Sequence, residues 1–254
     1  MERKHFLKNG LAALGLAAIM PLANACKKDT SGSDTTDTTS SGTDSTSTGG
    51  TSSTTCSTTP TETAGPFPTI TPSSYVRSNI VDGRTGVAFT IKIYIKNKNA
   101  SCAALAGALV DIWHCDKDGY YSEYGGTSMQ TVDFTSVHFL RGRQTTDSNG
   151  LVTFTSIFPG WYTSRATHIH VHVYNSAGTS LMVTQIAFPE GSSSAVTLVN
   201  TTGSSYGYSK GMTGYTYNAS DSVFTDDTAS LELATCTGSL SGGYTLAHTI
   251  NVAA

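Results

Sequence analysis

Alternating apolar and polar residues predict short β-strands along most of residues 88–252. The clearest case is 88–96, where the apolar side chains from Phe89 to Ile95 occupy every second position. Such residues share one face of a strand, and the polar residues between them share the other. Further strands are predicted at 108–114, 151–157, 168–174, 181–188, 230–234 and 244–252.

Turn sequences rich in Gly, Asn and Ser separate these strands. No amphipathic helix of useful length is predicted: 187–199 is the best candidate, but Pro189 and Gly191 interrupt it. The pattern therefore predicts an all-β fold, a β-sandwich of mainly antiparallel strands. The segment 212–227, rich in Tyr, Ser and Asp, is predicted to be a surface loop.

One predicted strand carries candidate chemistry. Residues 168–173 alternate strictly as His, Ile, His, Val, His and Val. His168, His170 and His172 therefore share one face, and a turn with Tyr162 and Arg165 precedes them. Imidazole and phenol groups in a row would suit a metal site. A half-buried strand with polar residues turned to water explains this segment equally well.

The first residues carry export signals. Residues 1–25 have a charged start and a short apolar run at 11–22, which predicts a signal peptide and not a membrane span. Small residues precede Cys26, as in bacterial lipoproteins, so we expect a lipid anchor at Cys26; ordinary cleavage is the alternative. The start also resembles a twin-arginine export signal, with Lys4 in place of the second arginine.

Composition divides the remaining chain in two. Residues 26–58 are almost entirely Ser, Thr, Gly and Asp, which predicts a disordered tether, whereas 59–254 is long enough for one domain. The formal net charge is −3, and removal of 1–25, with three positive charges and one negative, leaves −5. No basic run appears, which argues against nucleic acid as a partner. The oligomeric state is left open.

The cysteines suggest an oxidising compartment. With Cys26 lipidated, four remain, and an even number in an exported chain suggests two disulfides among Cys56, Cys102, Cys115 and Cys236. Cys102 and Cys115 flank one predicted strand, so a bond between these two is disfavoured. Buried free thiols are the alternative.

A second segment, together with the histidine strand, resembles a known protein family. Residues 110–124 form a predicted strand that runs into a glycine turn with three tyrosines. Together with the histidine strand, it resembles the intradiol ring-cleavage dioxygenases, which include the catechol 1,2-dioxygenases and protocatechuate 3,4-dioxygenases. The resemblance covers about 59–252. It rests on motifs in the same order at 59–67, 107–113, 139–142, 146–150 and 165–170.

The resemblance implies a mononuclear non-haem Fe(III) centre and a reaction. By motif position, the ligands would be Tyr121, Tyr162, His168 and His170. Tyr121 is preferred because the family's ligand directly precedes a serine, here Ser122; Tyr120 is the competing choice. The implied reaction cleaves a catechol-type ring between its two hydroxyl-bearing carbons with O2 and gives a muconate-type diacid. The short gap between Tyr162 and His168 resembles the exported, single-domain branch, and the particular catechol is left open.

Further roles follow from the same resemblance. Arg165 would stabilise the electron-rich substrate, Gln185 would lie near the O2 and substrate site, and Tyr162 would also help to take a proton. A structural ion pair for Arg165 and a satisfied polar group for Gln185 are the alternatives. His172, His114 and His138 have no place in the family's ligand set, Trp113 is expected to pack, and Trp161 is expected at the pocket rim.

Two other functions remain open at this point. A surface-anchored sandwich could bind aromatics or glycans without catalysis. Alternatively, His168, His170 and His172 could hold zinc for hydrolysis. Three alternate residues of one strand span about 13 Å, which is too far for all three to reach one ion comfortably.

Overall fold

The structure is a computed structural model, and it describes residues 56–227 and 230–254. The predicted signal peptide at 1–25 and the predicted tether up to residue 55 lie outside the described residues. The described residues form nine strands, β1 to β9, and one helix, α1. Their bounds are Ala88–Asn97 (β1), Ala103–Ala104 (β2), Leu109–Trp113 (β3), Arg141–Thr145 (β4), Leu151–Ile157 (β5), His168–Tyr174 (β6), Ser180–Ala187 (β7), Ala195–Thr202 (α1), Thr235–Ser239 (β8) and Gly243–Val252 (β9).

Two sheets form a sandwich, as predicted. The first has five strands in the order β2-β1-β9-β8, with β5 paired to β1. Its β1–β9 pair is parallel and its other pairs are antiparallel. The second has four strands in the order β4-β3-β6-β7, all antiparallel. No helix in the described part of the chain has the length and apolar character needed to cross a membrane.

The core lies between the inner faces of the sheets. Alternate residues of β1 from Phe89 to Ile95 are at most 1% exposed, and Leu246 and Ile250 of β9 are fully buried beside them. The second sheet contributes alternate residues of β3 and β6: Val110, Ile112, Ile169, Val171 and Val173. The predicted inward face of the histidine strand is thus confirmed.

The other face of the second sheet is polar and carries a row of four side chains. Directly opposed residues across the four strands are Arg141 of β4, Trp113 of β3, His170 of β6 and Gln185 of β7. Opposed residues of antiparallel strands share a face. The apolar sides of β3 and β6 therefore fill the core, while this row supports loops that pack outside it.

Several predicted elements were wrong. Strand β4 was missed, because Arg141 and Arg143 replace the apolar residues of the usual alternation. Helix α1 was also missed: it begins at Ala195, after Pro189 and Gly191, and the Oγ of its N-cap Ser194 accepts from Thr197 N at 3.2 Å. The strand predicted at 230–234 is not formed, because most of these residues are irregular. The strand in this region is β8, which begins directly after them.

The 212–227 segment is not simply a surface loop. Asp221 is 0% exposed, and Tyr215, Val223 and Phe224 belong to the buried core. The polar composition of the segment gave no indication of these buried residues, and Asp221 among them contacts the functional site.

The expectation of two disulfides was wrong. Cys56 and Cys102 form one disulfide, whereas Cys115 and Cys236 are free thiols. The disfavoured Cys102–Cys115 bond is indeed not formed. Cys115 is buried beside Tyr121, Phe67 and Trp113, so it behaves as a small apolar side chain.

The disulfide should stabilise the domain. It joins residues 46 positions apart, a loop length for which the entropy of the unfolded chain accounts for about 4 kcal/mol. We expect Cys56→Ser and Cys102→Ser to lower the free energy of unfolding by a similar amount, measured by urea denaturation. Cys236→Ser is the control, because its thiol is unbonded. An equal loss in the control would contradict the assignment.

Candidate metal centre and active site

Two histidines of β6 bring their ring nitrogens together. The Nε2 atoms of His168 and His170 lie 3.1 Å apart, and both side chains are buried. His168 Nδ1 lies 2.6 Å from the carbonyl oxygen of Ala166, so it must be the protonated nitrogen that donates. The Nε2 lone pair of His168 consequently points to His170 and to the phenol of Tyr121, whose Oη lies 3.2 Å away.

His170 is held between a ring and a glycine. The indole of Trp113 stacks on its imidazole, with ring centres 5.0 Å apart and planes 3° apart. Gly65, in the 59–70 segment, also lies against this imidazole: a Cβ at Gly65 would lie 2.8 Å from His170 Cε1, and Gly65 has a φ of +70°. A side chain at residue 65 would therefore be strained and would displace the imidazole.

Tyr121 comes from the long connection between β3 and β4. Its ring stacks on Phe67 with centres 4.8 Å apart. The buried amide of Gln130 brackets its backbone, because Gln130 Oε1 accepts from Tyr121 N at 2.7 Å and Nε2 donates to Tyr121 O at 2.8 Å. Tyr120 instead packs near Phe134, with ring centres 6.1 Å apart. The structure thus brings Tyr121, and not Tyr120, to the two histidines.

Arg141 clamps this connection to the 59–70 segment. Its guanidinium is buried and donates to Ser122 Oγ at 2.9 Å, Ser122 O at 2.6 Å and Phe67 O at 2.9 Å. It also pairs with Glu123 at 3.4 Å. These contacts fix both partners of the Phe67–Tyr121 stack.

Tyr162 and Arg165 come from the connection between β5 and β6. The Tyr162 ring lies edge-on to Tyr121 and to His168, with centres 5.8 and 5.5 Å apart. Arg165 Nη1 lies 3.5 Å from Tyr162 Oη, and Nη2 donates to Gln185 Oε1 at 2.7 Å. All six predicted site residues therefore meet at one place.

Asp221 fixes the orientation of Arg165. Both of its oxygens accept from Arg165 Nε, at 3.0 and 2.9 Å, and Oδ2 also accepts from Ala166 N at 2.7 Å. The carboxylate is fully buried. Arg165 therefore forms the structural ion pair considered from the sequence, while its other nitrogens face Tyr162 and Gln185.

Burial keeps the four candidate metal ligands uncharged in the absence of a metal. Burial, and next the charge of Arg165, lower the pKa of His168 to about 3, and burial followed by His168 lowers the pKa of His170 well below its usual value. Burial raises the pKa of Tyr121 and of Tyr162 above the usual range of a phenol. Both imidazoles are thus neutral, the form that binds metals. A cation at this place would supply the charge that phenolates require.

The donor set fits ferric iron. Tyr121 Oη and His170 Nε2 each lie within hydrogen-bonding distance of His168 Nε2, which carries no proton because His168 donates from Nδ1. Phenolate oxygen is a hard anionic donor, and imidazole is a common ligand of iron. Tyr162, beside them, would supply a second phenolate.

A cleft on the protein surface is bordered by Tyr162. It encloses about 350 Å³ and is lined by Asp118, Gly119, Tyr120, Ser128, Met129, Tyr162, Thr163, Ser164 and Lys210. Gly119 brings its two walls together: its φ is +93°, and a Cβ there would lie 2.4 Å from Trp161 O. A small aromatic ring would fit a cavity of this size.

The three-histidine zinc site was not formed. His172 Nε2 lies 2.8 Å from Ser180 Oγ, its Nδ1 lies 2.8 Å from Tyr174 Oη, and its ring stacks on Tyr174. Both nitrogens are engaged away from His168 and His170. His172 therefore continues the alternation without joining the cluster.

The two other histidines considered from the sequence, His114 and His138, pack away from the site. His114 Nε2 contacts Ser156 Oγ at 2.8 Å, and His138 contacts Tyr75. Trp113 packs as expected, although its partner is His170. Trp161 is 4% exposed, and its Nε1 donates to Gly211 O at 3.0 Å, so the expectation that it lines the pocket rim was wrong.

Sequence reasoning missed the residues that support the site. Asp221 lies about fifty residues after the histidines, and Gln130, although nine positions after Tyr121, stands in a segment without a recognisable motif. Arg141 belongs to the 139–142 stretch, but that motif does not indicate its contacts. Its position opposite Trp113 becomes visible only from the register of β4.

Comparisons with known proteins identify the family of the chain. Residues 67–206 match the family model described as dioxygenase, which spans more than half of the chain. An intradiol ring-cleavage dioxygenase from Tetranychus urticae is 28% identical with a TM-score of 0.65, over 78% of this chain and 95% of that one. The chain therefore belongs to the intradiol ring-cleavage dioxygenase family.

More distant structures share the fold. The dioxygenase domain of a dioxygenase and carbohydrate-binding protein fusion from Streptomyces sp. SirexAA-E is 24% identical with a TM-score of 0.53, over 77% of this chain and 97% of that one. For 3-chlorocatechol 1,2-dioxygenase from Rhodococcus opacus 1CP the identity is 18% and the TM-score 0.50, over 76% and 71%. A comparison with curated protein sequences gave no match.

The Arg165–Asp221 pair should dominate local stability. Asp221→Ala leaves a largely buried guanidinium without its partner, which costs about 3–5 kcal/mol of unfolding free energy. Asp82→Ala is the matched control, since the Arg77–Asp82 pair is largely solvated and contributes about 0–1 kcal/mol. Urea denaturation of both variants measures the difference, and equal losses would show that burial does not matter here.

Proposed function

We propose that this protein is an Fe(III)-dependent dioxygenase that cleaves a catechol-type ring between its two hydroxyl-bearing carbons. The observation that carries the proposal is the convergence of Tyr121 Oη and the Nε2 atoms of His168 and His170 beside Tyr162. Family membership supports the reaction class. The products would be muconate-type diacids containing both atoms of O2.

Tyr121, Tyr162, His168 and His170 would hold the iron. When bound, Fe(III) activates the catechol toward O2 and stabilises the negative charge of the phenolates. The neutral imidazoles and the desolvated phenols of the metal-free site suit this role, because a trivalent cation replaces two phenolic protons without leaving a large net charge buried.

The chain's own residues would handle protons and charge. Tyr162 lies at the cleft, so its Oη as a phenolate is placed to accept a proton from a catechol hydroxyl. Arg165, fixed by Asp221, holds a cation close to Tyr162 Oη and would oppose the negative charge that grows on the substrate oxygens. Gln185 anchors the other side of that guanidinium and the 59–70 segment, since its Nε2 donates to Thr63 O at 2.9 Å.

A binding module without catalysis is the alternative. Such a module would need a cleft but not a desolvated pair of imidazoles facing a buried phenol, nor an arginine held by a buried carboxylate. These groups cost stability in a dry site and are explained by a metal-dependent reaction.

We further propose that the domain is exported, with a signal peptide at 1–25, a lipid anchor at Cys26 and a tether to residue 58. The Cys56–Cys102 disulfide supports an oxidising compartment. The bond also ties the last residues of the tether to the domain, whose first contact with β9 is Thr59 N donating to Asn251 O at 3.1 Å.

Matched neighbours test the ligand set. We expect Tyr121→Phe and His170→Ala to lower iron content, measured by metal analysis, and to reduce the visible absorbance of ferric tyrosinate. Tyr120→Phe and His172→Ala are the controls, since Tyr120 and His172 contact other groups. Oxygen uptake with catechol, protocatechuate and hydroxyquinol then reports activity and substrate. A colourless, zinc-containing native protein, or iron loss in the controls, would overturn the assignment.

Arg165 tests the charge-stabilising role. We expect Arg165→Ala to retain iron and to lower kcat about 10²–10³-fold, as when one preorganised donor is removed from an active site. Arg165→Lys keeps the cation but loses the bidentate geometry, so it should recover part of the rate. Single-turnover and steady-state oxygen uptake measure the effect. Unchanged kcat in Arg165→Ala would leave Arg165 a purely structural role.

A further inference from the structure

A second cluster of side chains lies apart from the histidines and tyrosines. One carboxylate oxygen each from Glu62, Asp226 and Glu232 lies within 4.8 Å of the other two. The three residues come from distant parts of the chain: Glu62 from the 59–70 segment, Asp226 from the 212–227 segment, and Glu232 from the segment before β8. Two of these segments, those of Glu62 and Glu232, dock on the edge strand β7.

Backbone contacts on β7 hold the two deeper carboxylates in place. Glu62 N donates to Val183 O at 2.8 Å, and Ala187 N donates to Glu232 O at 2.9 Å. The carboxylate of Asp227 accepts from Leu231 N and Glu232 N, both at 2.7 Å, which turns the chain so that Glu232 faces inward. Preorganisation by backbone hydrogen bonds is what a ligand site requires.

Glu232 is the unusual member of the cluster. It is 0% exposed; Oε1 accepts from Thr184 Oγ1 at 3.2 Å, whereas Oε2 is buried without a partner. Within the described ranges, no lysine or arginine forms an ion pair with Glu62, Asp226 or Glu232. A buried carboxylate oxygen without a donor needs either a proton or a cation.

We infer that Glu62, Asp226 and Glu232 form a binding site for a hard divalent cation, of which Ca²⁺ is the best match. Three carboxylates supply anionic oxygen ligands, the type that Ca²⁺ prefers, and the exposed side of Asp226 admits the waters that complete its coordination. The bound cation would satisfy Glu232 Oε2 and remove the repulsion among the three acids.

Electrostatics within the cluster supports this site. Burial, and next the charge of Glu62, raise the pKa of Glu232 to about 8. Burial and the charge of Asp226 raise the pKa of Glu62, and only Arg165 acts in the opposite direction. Arg165 is already paired with Asp221, so it does not neutralise the cluster.

The location gives the cation a structural role. Glu62 is followed by Thr63, whose carbonyl accepts from Gln185, and the chain then reaches Gly65 against His170. Asp226 follows the loop that contains Asp221, the partner of Arg165. A cation would therefore tie together the two segments that cover the metal centre from opposite directions.

Calcium binding to the full-length, iron-loaded protein tests the inference. We expect titration calorimetry with CaCl2 to show one site per chain with a Kd between micromolar and millimolar, and CaCl2 to raise Tm. Asp226→Asn and Glu62→Gln should each weaken binding on the order of tenfold or more, because the number of charged ligands sets Ca²⁺ affinity. Asp82→Asn, an isosteric change at an exposed acid outside the cluster, should bind like the native protein.

The Glu232→Gln variant distinguishes a bound cation from a proton held by Glu232. It should abolish the Ca²⁺ response while the Tm of the calcium-free protein stays the same or rises, since the buried charge is gone. The inference is overturned if neither heat nor a Tm shift accompanies CaCl2, or if Asp226→Asn responds like the native protein. A native protein that ignores Ca²⁺ but loses stability as the pH rises from about 4.5 to about 8 would show that Glu232 holds a proton instead.

Discussion

The register of four antiparallel strands is the constraint on which the site depends. Arg141, Trp113, His170 and Gln185 oppose one another across β4, β3, β6 and β7. A shift of β6 by one residue would replace His170 with Ile169 or Val171 in that row and would expose the core-facing side of the strand. The apolar residues that fill the sandwich therefore also specify where the imidazoles point. Stability of the core and geometry of the candidate metal centre are two results of one alternating sequence.

Two largely buried guanidinium groups fix the loops next to these strands. Arg141 fixes the turn with Tyr121 through Ser122 and Phe67, and Arg165 fixes the turn with Tyr162 through Asp221. Each arginine offers several donors in a planar arrangement, so one side chain can satisfy a carbonyl, a hydroxyl and a carboxylate together. Irregular loops can be positioned in this way without a core of their own. A buried guanidinium charge is unfavourable unless a carboxylate lies beside it. Each arginine accordingly has a buried acidic partner, Glu123 for Arg141 and Asp221 for Arg165.

Much of the sandwich could be predicted because local alternation encodes it. Strands β1, β3, β5, β6, β7 and β9 were predicted from their periodicity. Strand β4 was missed because arginines interrupt its apolar alternation, and α1 was missed because the window considered for it contained Pro189 and Gly191. The residues brought together at the centre were identified through a family resemblance and not through periodicity. Asp221 could not be found in this way: its role depends on a tertiary contact made from a segment whose composition resembles a surface loop.

Strand β7 separates two kinds of chemistry by its alternation. Thr184 faces the carboxylates and donates to Glu232, while the adjacent Gln185 faces the aromatic and imidazole groups and contacts Arg165. Successive residues of a strand point to opposite sides, so the strand keeps the acidic cluster away from the histidines. The same backbone nevertheless connects them, because the 59–70 segment contacts both Val183 and Gln185. The three carboxylates thus lie on one side of β7 and the phenol and imidazole groups on the other, so cations bound at these two places would meet different donor atoms.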